Sequence, residues 1–179
     1  MAFVTILGDH SLGGAYILRI KVLQTISVTF GRFQGGEPLP VPHGELLYVG
    51  SAMRGLAGRV LRHARRSGAK PVQPLYALLL AEMQAVGLAN GRLRPPSPKK
   101  RHWHIDYLLD KTAVVLTHTL LIRSPVRLEE ELAAWLLAQP ETSVLASGLG
   151  ASDVQGHTHL LQTVADVDLF WERLLTHCG

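Results

Sequence analysis

The stretch Leu46-Leu47-Tyr48-Val49-Gly50-Ser51-Ala52 constrains the fold more than any other, because it is an apolar run that stops at a glycine and gives way at once to arginines. A run of this kind reads as a buried strand. Gly50 allows a tight corner, and Ser51 stands where its hydroxyl can cap a following helix. Over residues 53–66 the charges recur helically, with Arg59, Arg62 and Arg66 on one face and Leu56, Val60 and Ala64 on the other. The corner therefore looks onto a row of cations, with Tyr48 just before it and Arg54 just after.

Upstream, Gly13-Gly14 precedes a second strand over residues 15–21, in which Tyr16, Leu18 and Ile20 share one face. Residues 25–30 alternate apolar and polar more cleanly still. A Gly- and Pro-rich loop over 31–44 then leads back to the 45–51 strand, which predicts an antiparallel three-stranded meander carrying both Tyr16 and Tyr48. Whether the two phenols share a face depends on register, which periodicity leaves open.

At 179 residues and 47% apolar content, the chain has the size of a single domain, 1–179, with enough apolar residues to build a core. The longest apolar tract, residues 75–89, is broken by Glu82 and Gln84 and is too short to span a bilayer, so no membrane partner is expected. No export signal is evident, and the single cysteine, Cys178, fits a reducing cytoplasm. Charge is unevenly placed: residues 1–101 carry 14 Lys/Arg against 4 Asp/Glu, and residues 102–179 carry 4 against 10. That split suggests a face for a polyanion beside a face for cations, or simply two solvated surfaces.

Between residues 67 and 101, Pro74 opens and Gly87 closes a predicted helix whose Leu75, Leu78, Leu79, Met83 and Val86 form an apolar stripe, a surface for the core or for a homo-oligomer. The Pro-rich loop behind it ends in Lys99-Lys100-Arg101, candidates for phosphate contact together with Arg54, Arg62, Arg66, His102 and His104. Residues 102–109 predict a short helix or turn in which Trp103 and Tyr107, at i and i+4, pack together. The histidines there either donate to phosphate or satisfy buried polar groups. Residues 126–139 predict a helix with Leu128, Leu132, Trp135 and Leu136 inward and Glu129-Glu130-Glu131 in its first turn, where the macrodipole favours them. A strand near His157-Thr158-His159-Leu160 and an amphipathic helix over 164–177 close the chain.

These residues resemble the GIY-YIG nuclease superfamily. Gly14-Ala15-Tyr16 corresponds to the first half of its signature, with Ala15 in place of the usual Ile; Tyr48-Val49-Gly50, followed by Arg59 and His63, corresponds to the second. His102-Trp103-His104-Ile105-Asp106-Tyr107-Leu108-Leu109 and Gly148-Leu149-Gly150-Ala151-Ser152-Asp153 look like the branch that carries HWHIDYLL and GFGSSDC blocks and is sometimes fused to an endonuclease III-type enzyme. The resemblance spans most of the chain outside residues 67–100, which interrupt the pattern of this branch as a helical and basic insertion at about 67–101. Val154 and Gly156 stand where relatives carry cysteines.

The resemblance implies an α+β fold: a small antiparallel three-stranded GIY-YIG-like sheet with flanking helices and additional C-terminal strands and helix. It also implies a metal-dependent DNA endonuclease using Mg²⁺ or Mn²⁺. In that reading Tyr16 and Tyr48 lie close together and one of them activates water, Arg59 and His63 act on the phosphate, and Glu129 binds the metal with Glu131 as second choice. Asp106, Ser152, Asp153 and His159 are further active-site candidates. The competing expectation is a non-catalytic nucleic-acid-binding module on the same fold, favoured by the altered Gly-Ala-Tyr and the missing cysteines.

Overall fold

The computed structural model describes residues 2–8, 10–68, 70–90, 99–150, 158–163 and 166–179. Its centre is strand β2 (Gly14–Val22), whose alternating side chains feed two cores. Tyr16, Leu18, Ile20 and Val22 enter one; Ala15 and Ile17 enter the other. On either side of β2 lie β5 (Gly44–Ser51) and β6 (Val114–Arg123), both antiparallel to it. Beyond β6 comes β1 (Val4–Gly8), in parallel pairing, and beyond β5 come β8 (Leu160–Thr163) and β7 (Thr142–Val144), giving a mixed sheet in the order β1-β6-β2-β5-β8-β7.

Helices cover both faces of this sheet, so the architecture is α+β. The Tyr16 side is packed by α1 (Leu56–His63), α2 (Tyr76–Ala85) and α3 (His104–Leu109); the Ile17 side by α4 (Glu129–Leu137) and α5 (Val167–Cys178). In α4 the inward residues are Leu132, Ala133 and Leu136, and in α5 they are Phe170, Trp171 and Leu174. The α5 N-terminus is capped by Asp166, whose carboxylate accepts from the amides of Asp168 and Leu169.

The expected meander is not the arrangement found. Residues 26–29 form β3 (Ile26–Thr29), which pairs with β4 (Pro38–Val41) in a separate two-stranded ribbon. The edge of β2 goes instead to β6, whose ladder runs from Gly14↔Arg123 to Val22↔Val114, more than twice as long as β3 could supply. The small three-stranded sheet is thus replaced by a six-stranded one.

The segment expected as an insertion contributes to the main core: Leu75, Leu79 and Met83 are buried, while Leu78 and Val86 stay 39% and 44% exposed. Three of the five stripe residues are therefore spent within the domain. Gly87, at φ 67°, sits just past the end of α2, where a left-handed residue stops a helix. Among the described residues no helix is long and apolar enough to cross a membrane.

The arginine helix is shorter than the 53–66 pattern predicts and starts at Leu56, with Gly55 rather than Ser51 at its N-cap. Arg66, beyond its end, is buried and turned inward. Its guanidinium donates to the carbonyls of Leu109, Pro71 and Val114, and buried Gln73 shares the Leu109 and Val114 carbonyls. Those bonds tie α1 to α3 and β6, and they make Arg66 structural rather than a phosphate contact.

Candidate active site

The register answers the question that periodicity left open. Tyr16 pairs with Gly50 and Tyr48 with Leu18, so the two phenols are diagonal neighbours on one face, with ring centroids 6.2 Å apart. Gly50 is what lets Tyr16 lie there: a Cβ at Gly50 would collide with the Cζ and hydroxyl of the Tyr16 ring. Both tyrosines are buried, Tyr16 at 1% exposure, yet both contribute to the wall of a cleft at the end of β5.

Helix α1 places His63 over the phenols. Tyr16 Oη lies 2.8 Å from His63 Nε2, and His63 Nδ1 lies 3.5 Å from Asp106 Oδ1 at the start of α3. Asp106 also accepts from Arg62 Nη1 at 2.9 Å and faces Lys99 Nζ at 3.3 Å. Its second oxygen accepts from the amides of His102 and Trp103, closing the N-terminus of α3. Burial by itself would raise the Asp106 pKa, but the His63 hydrogen bond, the Lys99 ammonium and the Arg62 guanidinium outweigh it and hold the carboxyl well below the usual carboxylate range. Burial drives His63 down to about 4 against the opposing pull of Asp106, so the imidazole is neutral at pH 7. Burial also raises both phenols well above their ordinary value, with the Arg59 charge working in the opposite sense.

Trp103 departs from its expected pairing with Tyr107. It is the extended N-cap residue of α3 and lies against α1, with the Arg59 guanidinium 3.9 Å and the Arg62 guanidinium 4.4 Å from its ring centroid. Tyr107 instead packs where Gly31 leaves room, with Arg101 over its ring at 5.0 Å. The difference arises because α3 begins only at His104, so the two rings do not share a helix face. His104 accepts from the amide of Gly150 through Nδ1 at 3.2 Å and packs against Phe33, and its pKa is lowered by burial. It thus belongs to the buried-polar alternative, whereas His102 lines the cleft.

The opposite wall comes from the other layer. Glu129, the first residue of α4, accepts from the Ser51 hydroxyl through Oε2 and lies 3.1 Å from His159 Nδ1 through Oε1, with Arg127 Nη1 at 3.7 Å. Ser51 therefore serves Glu129 rather than a helix cap, because the chain runs four more residues before α1 starts. Burial would raise the Glu129 pKa, but the His159 and Ser51 hydrogen bonds and the Arg127 charge reverse it, leaving a lowered value and an ionised carboxylate. Glu131 is exposed on another side of α4, where its charge adds to burial in pushing the Cys178 thiol up to about 11. It cannot join Glu129 as a ligand.

Between these walls lies a cleft of about 750 Å³, lined among others by Tyr16, Tyr48, Arg54, Arg59, His102, Trp103, Arg127, Glu129 and His159. Arg62 and Lys99, expected at a phosphate, are largely spent inside: Arg62 on Asp106 and the Lys100 carbonyl, Lys99 on Asp106 and the Arg65 carbonyl. Lys100 is exposed, and Arg101 faces Asp110 at 3.9 Å. Ser152 and Asp153 lie outside the described residues. Sequence reasoning missed Arg127, Glu130 and the role of Ser51; the one available signal was Arg127 standing two residues before Glu129.

Among the described residues no group of three or more His, Cys, Asp or Glu side chains is placed to hold a metal ion. What the cleft offers is the ionised Glu129 carboxylate, 18% exposed, beside the Ser51 hydroxyl, with Glu130 also on the lining. That donor set fits a hard, largely hydrated cation such as Mg²⁺ or Mn²⁺, which binds through one or two carboxylates and completes its shell with water and phosphate oxygens.

The fold and site define an α+β domain with a cationic, tyrosine-walled cleft at one end of a mixed sheet. The chain belongs to the family described as domain of unknown function DUF123, which matches residues 15–177. No curated protein and no solved structure matches it.

Proposed function

We propose that the protein is a metal-dependent, GIY-YIG-like endonuclease that hydrolyses phosphodiester bonds in DNA. The observation that carries this reading is the convergence of Tyr16, Tyr48, Arg59 and Glu129, from four separate elements, on one cleft, with His63 in hydrogen-bond contact with Tyr16. Hydrolysis at phosphorus needs a positioned water, a proton acceptor and cations over the developing charge. Tyr16, His63, Arg59 and Glu129 match those needs.

The proton path follows from the pKa directions. Burial keeps both phenols neutral, so the Tyr16 proton leaves only in concert with attack, moving to neutral His63 Nε2 while the phenolate oxygen takes one proton from the attacking water. The water oxygen bonds to phosphorus as the bond to the leaving oxygen breaks, that oxygen is protonated by solvent, and His63 hands its extra proton back to Tyr16 as Tyr16 releases one to water in the cleft. Arg59, aimed from the Trp103 ring, binds non-bridging oxygens, for which guanidinium geometry is suited. Glu129 would hold the divalent cation, which supplies charge neutralisation at the phosphate.

The test is incubation of purified protein with labelled single-stranded, duplex, flapped and branched DNA in Mg²⁺, Mn²⁺ or chelator, beside Glu129→Ala. Metal-dependent cutting that the variant loses is the expected result. Cutting that survives Glu129→Ala together with Tyr16→Phe would trace the activity to a contaminant. Salt-sensitive binding with no cutting on any substrate would replace the reading with the non-catalytic module.

A further inference from the structure

We infer that Asp106 is a positioning residue that keeps the proton of His63 on Nδ1 and thereby turns Nε2 into the acceptor for the Tyr16 hydroxyl. The inference deepens the nuclease reading and rests on it for its catalytic consequence, though not for the protonation geometry itself.

A neutral imidazole carries one N–H, and the nitrogen that faces an anion carries it. Among the described residues His63 Nδ1 makes no hydrogen bond of ordinary geometry, and the anion it faces is Asp106, with Oδ1 at 3.5 Å. Every other polar group on Asp106 is a donor: Arg62, Lys99, and the amides of His102 and Trp103. The carboxylate is fully buried, and it is held in one orientation because its second oxygen closes the turn into α3. His63 Nε2, on the far side of the ring, is then left with a lone pair directed at Tyr16 Oη, 2.8 Å away.

The opposite arrangement would put Nε2–H against the phenol, which could then only accept. In that state His63 cannot take the Tyr16 proton. The 3.5 Å separation is long for a hydrogen bond, as orienting contacts often are before substrate arrives. When Nε2 takes the phenolic proton, the resulting imidazolium keeps its Nδ1–H on the Asp106 carboxylate, and no proton passes to Asp106.

Asp106→Asn keeps the side-chain volume and removes the charge, and the ring proton of His63 reads its effect apart from any loss of packing. The amide oxygen of Asn can keep the bonds to the His102 and Trp103 amides, which places its NH₂ toward His63 and obliges Arg62 and Lys99, which share Oδ1 in the wild type, to turn away. A donor there forces Nδ1 to accept and moves the ring proton to Nε2.

The experiment uses the full-length chain labelled with ¹⁵N and reads the His63 ring by long-range ¹H–¹⁵N correlation near pH 7. The wild type is expected to show Nδ1–H and the Asn variant Nε2–H. Cutting by the folded variant is expected to fall at least ~10²-fold, as for other catalytic histidines held in the wrong tautomer. Wild-type His63 carrying its proton on Nε2 overturns the inference, whether or not the variant folds. A variant that keeps Nδ1–H and full activity overturns it as well. Should neither protein cut DNA while the two ring forms differ as expected, the nuclease reading fails and the role of Asp106 in setting the ring proton stands.

Discussion

The two walls of the cleft solve different physical problems. On the α1–α3 side, Tyr16, His63 and Asp106 are all at or below 1% exposure, and each polar atom that faces the next has its geometry set by packing. On the α4–β8 side, Glu129 and Arg127 are 18% and 63% exposed at the side chain, held by hydrogen bonds and charge rather than by a core. The dry wall suits moving a proton along a fixed path, because low dielectric keeps neutral groups neutral and water out. The wet wall suits charges that come and go with solvent. The lesson is that activity and stability should be tightly linked on one wall and separable on the other.

The sharpest separation is expected at Glu129. Replacing it by Ala removes a carboxylate from the wet wall without opening the core, so cutting should fall by about 10³-fold. Stability from urea unfolding should fall by about 1–2 kcal/mol, because the Ser51 hydroxyl and the buried His159 ring lose their shared partner, while the surface-exposed Arg127 pair adds little. A large loss of stability in that variant would erase the contrast between the walls.

On the dry wall the linkage shows in pH. His63 has a native pKa of about 4 against an ordinary 6.5. Between those values the unfolded chain binds a proton that the native chain does not, so the stability contributed by neutral His63 is full above about pH 6.5 and is lost as pH falls toward about 4. The loss should be on the order of 3 kcal/mol, and His63→Gln should flatten that limb of a urea-midpoint series. His118, on the opposite face, has a pKa also lowered to about 4, first by burial and then by Arg19, so the double variant with His118→Gln should be flatter still.

Which of this was legible in the sequence follows from the range of the interactions. The two faces of β2, the apolar inner edge of α4 and the stop at Gly87 depend on residues a few positions apart, and their periodicities are correct. Strand pairing is not local: residues 25–30 alternate well, yet β6, about 100 residues from β2, takes the edge they were expected to fill. The same holds at the site. Tyr16, Tyr48, Arg59 and Glu129 were expected together through a resemblance, and they line one cleft. Asp106 was only one candidate among several, because its partners Arg62, His63 and Lys99 come from 44, 43 and 7 positions away. Nor could charge alone reveal that Arg62, Arg66 and Lys99 are consumed inside the domain.

A smaller effect probes the contact that seats the phenol. Gly50→Ala places a methyl against the Tyr16 ring. Relief requires the ring to tilt away from His63, at a cost of about 1–3 kcal/mol in stability, typical of overpacking in a core. On the dry wall, lost activity should accompany that lost stability. Denaturation and initial cutting rates on the same preparation check the pair, and a stable but inactive Gly50→Ala protein would put Gly50 on the substrate side of the argument instead.

The smallest effect should come from the seam between the walls, at Trp103. Its ring holds Arg59 and Arg62 by cation–π contact, each worth about 0.5–1 kcal/mol when partly exposed. Removing the ring affects the two arginines unequally. Arg62 keeps its bonds to Asp106 and to the Lys100 carbonyl and so stays in place. Arg59 loses the surface that aims it into the cleft and must pay side-chain entropy each time it meets a phosphate. Trp103→Ala should therefore raise the KM for DNA roughly 2–5-fold with a smaller change in kcat, the pattern of lost binding rather than lost chemistry. Trp103→Phe, which retains a ring face, should recover most of it. Should kcat fall instead and KM stay constant, Trp103 would be acting on His63, whose ring centroid lies 5.9 Å away, and the boundary between the two walls would have to be moved to include it in the proton path.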